Sequence, residues 1–127
     1  MTLHMGILRT KSAPQPIGPY SQGIDMDGLL FLSGQIGLSL ETGEMVDGLA
    51  NQTHQVLKNI AAVLEAGGCT LSNVIKSTIY LKNMSNFSEF NKIYAEYFKE
   101  NPPARTTVEV SALPRNALIE IEIIAHK

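Results

Sequence analysis

The stretch Ala117-Leu118-Ile119-Glu120-Ile121-Glu122-Ile123-Ile124-Ala125 constrains the fold of this chain more than any other. Alternate side chains of a strand point to opposite faces of its sheet. The odd positions read Ala, Ile, Ile, Ile, Ala, a face suited to a layer of helices. The even positions are Leu118, Glu120, Glu122 and Ile124, neither cleanly polar nor cleanly core. With all helices on one side, a lone copy leaves Leu118 and Ile124 wet, along with part of the apolar run Leu29-Leu30-Phe31-Leu32. Contiguous exposed apolar surface marks a partner. The expectation is a homo-oligomer packed through the second face of the sheet, with the glutamates in or near the interface.

The remaining elements follow from periodicity and punctuation. Met1 to Ile17 has little periodicity and contains Pro14 and Pro16, so it reads as a loosely attached arm. Ile17-Gly18-Pro19-Tyr20 reads as a turn. Ser21 to Met26 and Leu29 to Gln35 flank Asp27-Gly28, a pair that predicts a type I′ hairpin. Leu29 to Leu32 is apolar at every position and should be covered on both faces. Ser33-Gly34-Gln35 then reads as a bulge or strand end, or as a place where a ligand meets the backbone at Gly34. A helix is predicted from about Asp47, as its cap, to Ala66, with Leu49, Val56, Ile60, Val63 and Leu64 on one stripe and Gly67-Gly68 at its end. Val74 to Leu81 is a strand. A second helix starts at Ser85 or Asn86, where Asn86 and Glu89 have capping-box spacing. Its stripe of Phe87, Phe90, Ile93, Tyr94, Tyr97 and Phe98 reads as core. Pro102 and Pro103 stop it, and Arg105 stands at the mouth of the β-branched run that follows. Strand, strand, helix, strand, helix, strand, strand gives a two-layer α+β domain with one mixed sheet and two helices, spanning 1–127 as a single unit.

Charge and composition remove several classes of function. The net charge of -2, with no cluster of Lys or Arg, argues against a nucleic-acid partner. The single cysteine, Cys69, forms no internal disulfide and suits a reducing compartment. No apolar run approaches the ~20 residues of a membrane span, and Met1 to Lys11 lacks a signal-peptide core. The expected location is the cytoplasm. His4, His54 and His126 stand apart with no second ligand at metal spacing. Cys69 has no evident activating base, and there is no phosphate-binding or dinucleotide fingerprint.

What remains is one arginine and one acid. Thr107 and Glu109 share a strand face with Arg105. If the loop Ala112-Leu113-Pro114-Arg115-Asn116 folds back, Arg105 and Glu120 share a pocket, within one subunit or across an interface. A guanidinium binds a carboxylate through a planar fork, and a nearby carboxylate orients a water and takes its proton. The pair suits a small substrate with its own carboxylate beside an electrophilic carbon; a purely structural ion pair is the other reading. Asn91, beside the aromatic stripe, is either a surface amide or reaches this site.

Ile17-Gly18-Pro19-Tyr20-Ser21-Gln22-Gly23, Ser33-Gly34-Gln35-Ile36, Pro103-Ala104-Arg105, Val108-Glu109-Val110 and Ile119-Glu120-Ile121-Glu122 together resemble the Rid (YjgF) family of reactive-intermediate deaminases. The resemblance runs from about Lys11 to Ala125. It implies a chorismate-mutase-like α+β fold and a homotrimer with sites in the clefts between subunits. It further implies cofactor-independent hydrolysis of 2-aminoacrylate and related enamines or imines, released by pyridoxal-phosphate-dependent dehydratases, to 2-keto acids and ammonia. In that likeness Arg105 clamps the substrate carboxylate and Glu120 positions the attacking water. Tyr20 walls the pocket, Ser33 and the Gly34 backbone contact the substrate, and Asn91 lies near the site. Thr107 stands where many close relatives carry cysteine; it keeps a hydroxyl for hydrogen bonding but supplies no sulfur. The competing reading is a non-catalytic, small-ligand-binding regulatory module on the same trimer, and a ribonuclease reading has the least support.

Overall fold

Two consecutive residues with positive φ, Asp27 at 51° and Gly28 at 91°, close the hairpin that sets the register of the sheet. This is the backbone a type I′ turn requires. The fold comes from a computed structural model, described for residues 4–127. Its strands are β1 (Met5–Leu8), β2 (Gly23–Met26), β3 (Leu29–Leu32), β4 (Val74–Leu81), β5 (Ala104–Glu109) and β6 (Ile119–His126). They form one six-stranded sheet in the order β1-β2-β3-β6-β4-β5. Among the described strands only β4 and β5 pair in parallel; a parallel pair needs a crossover, and helix α2 (Phe87–Tyr97) supplies it. Helix α1 (Leu49–Ala66) makes the other crossover, from β3 to β4. Strand β6 inserts between these two, antiparallel to both.

The alternation of β6 is realised as expected. Ile119, Ile121, Ile123 and Ala125 are buried under the helices, and Glu120, Glu122 and Ile124 lie half-buried on the other side. The predicted α1 stripe of Leu49, Val56, Ile60, Val63 and Leu64 is buried against that face. Phe90 and Tyr94 of α2 complete the same core. Each fully buried apolar side chain contributes about 1.5–3 kcal/mol relative to exposure, so this single interface dominates the stability of the domain.

Local signals misplaced several boundaries. The predicted loose arm is, from Met5 to Leu8, a sheet strand paired with β2; the part before His4 lies outside the described residues. Gln22 is the reason the next segment is also fixed. Its buried side chain accepts from the Thr10 amide at 2.8 Å and donates to the carbonyls of Thr10 at 3.1 Å and Pro14 at 2.9 Å. Asp47 does not cap α1; Gly48, at φ 83°, holds that position. Asn86 makes no capping hydrogen bond, and Asn83 instead accepts from the Ser85 amide at 2.9 Å, ahead of a 3-10 turn leading into α2. Strand β3 ends at Leu32, and Gln35 forms an isolated bridge to Ile121. Its two-sided cover is incomplete in a single copy: Leu30 and Leu32 are buried, whereas Phe31 is 43% exposed.

Candidate functional site

Strand register decides which groups can meet. Ser77 of β4 is buried and its hydroxyl lies 2.6 Å from that of Tyr94 on α2, so Ser77 points to the helices. Tyr80, three residues on, therefore points away. Arg105 is paired with Ser77, and Glu120 with Tyr80. Paired residues share a face. Arg105 thus lies on the helix side and Glu120 on the open side of one sheet. A single copy of the chain does not join them, which removes the version of the shared pocket built within one subunit.

The Arg105 group is built where β5 meets α2. The guanidinium carbon lies 5.6 Å, 5.3 Å and 5.0 Å from the ring centroids of Phe87, Phe90 and Tyr94. Of the stripe read as core, Phe90, Ile93, Tyr94 and Phe98 are buried and Phe87 and Tyr97 half-buried, and Phe87, Phe90 and Tyr94 are also the bed of this arginine. Aromatic faces attract a cation, so the charge is held without an acid, and among the described residues no carboxylate lies within ion-pair distance. The planar fork remains free. Thr107 follows on the same face of β5, and Asn91 occupies the α2 stripe one turn from Phe87 and Tyr94. Thr107 Oγ1 and Asn91 Oδ1 are both buried without a hydrogen-bond partner among the described residues. Leaving such a group unpaired costs about 1–3 kcal/mol, so two beside one free guanidinium indicate a surface built to receive polar atoms. Because β5 is the sheet edge, all of this lies at the margin of the molecule.

The Glu120 group forms on the other face. Glu120, Gly34, Gln35, Tyr20, Ile17 and Pro16 border a cavity of about 60 Å³. The Gln22 clamp holds the segment that walls it. A β-carbon on Gly34 would stand 2.8 Å from Glu120 Oε2, so the glycine makes room for the carboxylate. Burial first, and then the negative charge of Glu122, push the Glu120 carboxyl above the usual carboxylate range. Ser33 faces inward to the chain: its hydroxyl donates to the Ser21 carbonyl at 2.5 Å, tying the two segments that carry Tyr20 and Gly34.

The predicted residues therefore fall into two groups: Arg105, Thr107 and Asn91 in one, Glu120, Tyr20, Gly34 and Ser33 in the other. Gln22, Gln35 and Tyr80 were not singled out. Gln22 and Gln35 sit inside the motifs quoted above, but no local pattern marks a glutamine as a backbone clamp. Tyr80 needs the β4–β6 register to be noticed at all.

The family model described as Endoribonuclease L-PSP matches residues 10–127. The chain belongs to the Rid family. It is 55% identical over 122 residues to a RutC family protein of Pyrococcus horikoshii, covering 95% of this chain and 97% of that one. It is 43% identical over 120 residues to the human 2-iminobutanoate/2-iminopropanoate deaminase, covering 94% of this chain and 88% of that one. Among solved structures, a Rid protein of unknown function from Yersinia pestis superposes with a TM-score of 0.94 at 51% identity, covering 98% of this chain and all of that one. The two-helix, six-stranded Rid fold is thus shared along the whole described chain.

Proposed function

We propose that this Rid protein is a 2-iminobutanoate/2-iminopropanoate deaminase that acts as a homotrimer, with Arg105 of one subunit facing Glu120 of the next. The observation that carries the reading is the division of the site. A free guanidinium with two unpaired buried acceptors lies at one sheet margin, and a carboxyl of raised proton affinity lies in a small cavity on the opposite face. Each group lacks what the other supplies. The open face also carries a row of apolar side chains in register, Ile7, Ile24, Phe31 and Ile124. Ile7 is 49% exposed, and packing such a row against neighbouring copies covers it. The name of the human relative supports the reaction class.

In this reading the Arg105 fork holds the substrate carboxylate beside the imine carbon, with Asn91 and Thr107 offering polar atoms to the substrate. Glu120 takes a proton from a water whose oxygen bonds to the iminium carbon, forming a carbinolamine. It returns that proton to the nitrogen, the C–N bond breaks, and the hydroxyl proton leaves with the ammonia as ammonium. The products are a 2-keto acid and ammonium, and the upstream reaction is a pyridoxal-phosphate-dependent dehydration of a hydroxy amino acid. The family model's description names RNA cleavage instead. A net charge of -2 and a cavity of about 60 Å³ favour a small acid over a polynucleotide.

The test generates 2-aminoacrylate in situ from serine with a dehydratase and follows keto-acid release. Acceleration over background is expected, with a loss of about 10²–10⁴-fold in Arg105→Ala, from two charge-assisted hydrogen bonds. Mixing Arg105→Ala with Glu120→Gln subunits should restore about a quarter of the sites, because each such site draws on two chains of a ring. No acceleration, or mixed subunits as inactive as either parent, overturns the reading. Keto-acid binding without turnover points to the regulatory module.

A further inference from the structure

The open face of the sheet carries a second carboxylate that the reaction above does not use. Glu122 lies two residues from Glu120 on the same face of β6. The Tyr80 hydroxyl donates to Glu122 Oε1 at 2.5 Å in a half-buried setting. Tyr80 is itself the residue paired across the ladder with Glu120. The three side chains therefore form a compact cluster, in which a phenol directly opposite one glutamate reaches to the other and holds it.

We propose that Glu122 and Tyr80 are positioning residues for Glu120: Tyr80 fixes the Glu122 carboxylate in place, and its fixed negative charge strengthens Glu120 as the group that takes the proton of water. This rests on the deaminase reading, in which Glu120 is the base. Two like charges on one strand face resist being ionised together, and β6 keeps this pair at the separation of alternate residues. Burial of Glu120 acts in the same direction and Glu122 adds to it. The hydrogen bond to Glu122 pushes the Tyr80 phenol up to about 12, with burial and the charges of both glutamates also contributing. Tyr80 therefore keeps its proton, and with it its grip on Glu122, throughout the working range of pH.

In the assembled protein the deaminase reading also brings Arg105 of the next subunit to Glu120, a cation that draws its proton affinity down in wild type and in the Glu122 and Tyr80 variants alike; within one copy few other groups set this balance. From β4 the titratable residues on this face are Tyr80 and Lys76, and the Lys76 ammonium donates to Thr106 Oγ1 on β5 at 2.9 Å. Strand β3 presents Leu29 and Phe31, and β5 presents Thr106 and Val108, none of which titrates. His126 lies at the far end of β6, exposed. Tyr20 borders the Glu120 cavity from the loop before β2. A base works best when its proton affinity approaches the operating pH, and a neighbouring fixed carboxylate achieves this without a metal or a second base.

The experiment measures Glu120 in two ways, in the full-length assembled protein. Carbon-detected NMR titration of the Glu120 carboxyl needs no substrate. The pH profile of kcat/KM with dehydratase-generated 2-aminoacrylate reports the same group in turnover. Glu122→Gln keeps the shape and removes the charge. It should move both the titration and the acid limb to lower pH, and lower the plateau about two- to tenfold through the weaker base. Tyr80→Phe keeps the ring and releases the Glu122 carboxylate; it should shift Glu120 in the same direction by less. Glu122→Asp, which restores a charge, should recover part of the Glu122→Gln loss. Titrations and acid limbs that superpose on those of the wild type in Glu122→Gln and Tyr80→Phe overturn the proposal. A merely structural role would lower melting temperature without moving either pH curve. If the wild-type protein does not accelerate hydrolysis, the deaminase reading fails by itself, and the NMR titration still decides whether Glu122 and Tyr80 govern Glu120.

Discussion

The Arg105 group and the Glu120 group treat charge in opposite ways. Arg105 rests over the rings of Phe87, Phe90 and Tyr94, within 5.6 Å of each centroid, so its charge is accommodated and its fork left open. Glu120 is pressed into a cavity wall beside a second carboxylate, and its charged form is disfavoured. The first arrangement suits a permanent binder of anions, since guanidinium does not lose its proton. The second suits a group that must gain and lose a proton. In the proposed reading, binding and proton transfer are therefore separated onto two faces of one sheet.

The largest effect expected from breaking this contrast is at the binder. Arg105→Lys keeps the charge and the cation–π attraction but loses the planar fork, so keto-acid release should fall about 10–100-fold. Near-wild-type rates in that variant would mean that a point charge is sufficient. Gly34→Ala addresses the other group. Its β-carbon meets Glu120 Oε2 at 2.8 Å and the remaining contacts are to the same side chain, so the carboxylate moves and the backbone need not. Activity should fall about tenfold while unfolding free energy stays within about 0.5 kcal/mol. A stability loss with activity intact would place the glycine's role in folding.

Glu120→Gln separates the two groups by stability instead of rate. A carboxyl whose proton affinity is raised by folding stabilises the fold only while protonated, and that contribution is lost as pH rises through its folded value. The raised direction at Glu120 therefore predicts that Glu120→Gln melts higher than wild type at pH 7. The difference should vanish toward pH 3, below the ordinary carboxylate value. Thermal melts at the two pH values check this, and a variant less stable at pH 7 contradicts it. The smallest effect is at Thr107. Its hydroxyl is buried with no partner among the described residues, so Thr107→Val, which removes an unpaired polar group, should stabilise the fold by about 1 kcal/mol, with any change in rate reporting contact of that hydroxyl with substrate.

Several pieces of this architecture were legible in the residues. The alternation of Ile119, Ile121 and Ile123 against Glu120 and Glu122 marks both faces of β6, and Asp27-Gly28 marks the turn between β2 and β3, because both signals are local. Strand β1 was not legible: Met5–Leu8 is a strand only because β2 offers it a ladder. The cap of α2 was misread for a similar reason, since Asn83 satisfies the amide of a 3-10 turn that precedes the helix. Arg105 and Glu120 stand out in the sequence as the candidate pair, by their chemistry alone. That they stand on opposite faces follows from two pairings, Ser77 with Arg105 and Tyr80 with Glu120, and a pairing is a long-range fact.

Periodicity and side-chain chemistry, both short-range, determined the elements, the helix-facing half of the sheet and the identity of the charged groups. Only the tertiary structure decided that β6 inserts between β3 and β4, that three aromatic rings take up the arginine, and that Tyr80 reaches Glu122. Each of these depends on which strands become neighbours. Neighbours are selected by burying the whole apolar face at once, a quantity that no single stretch of the chain contains.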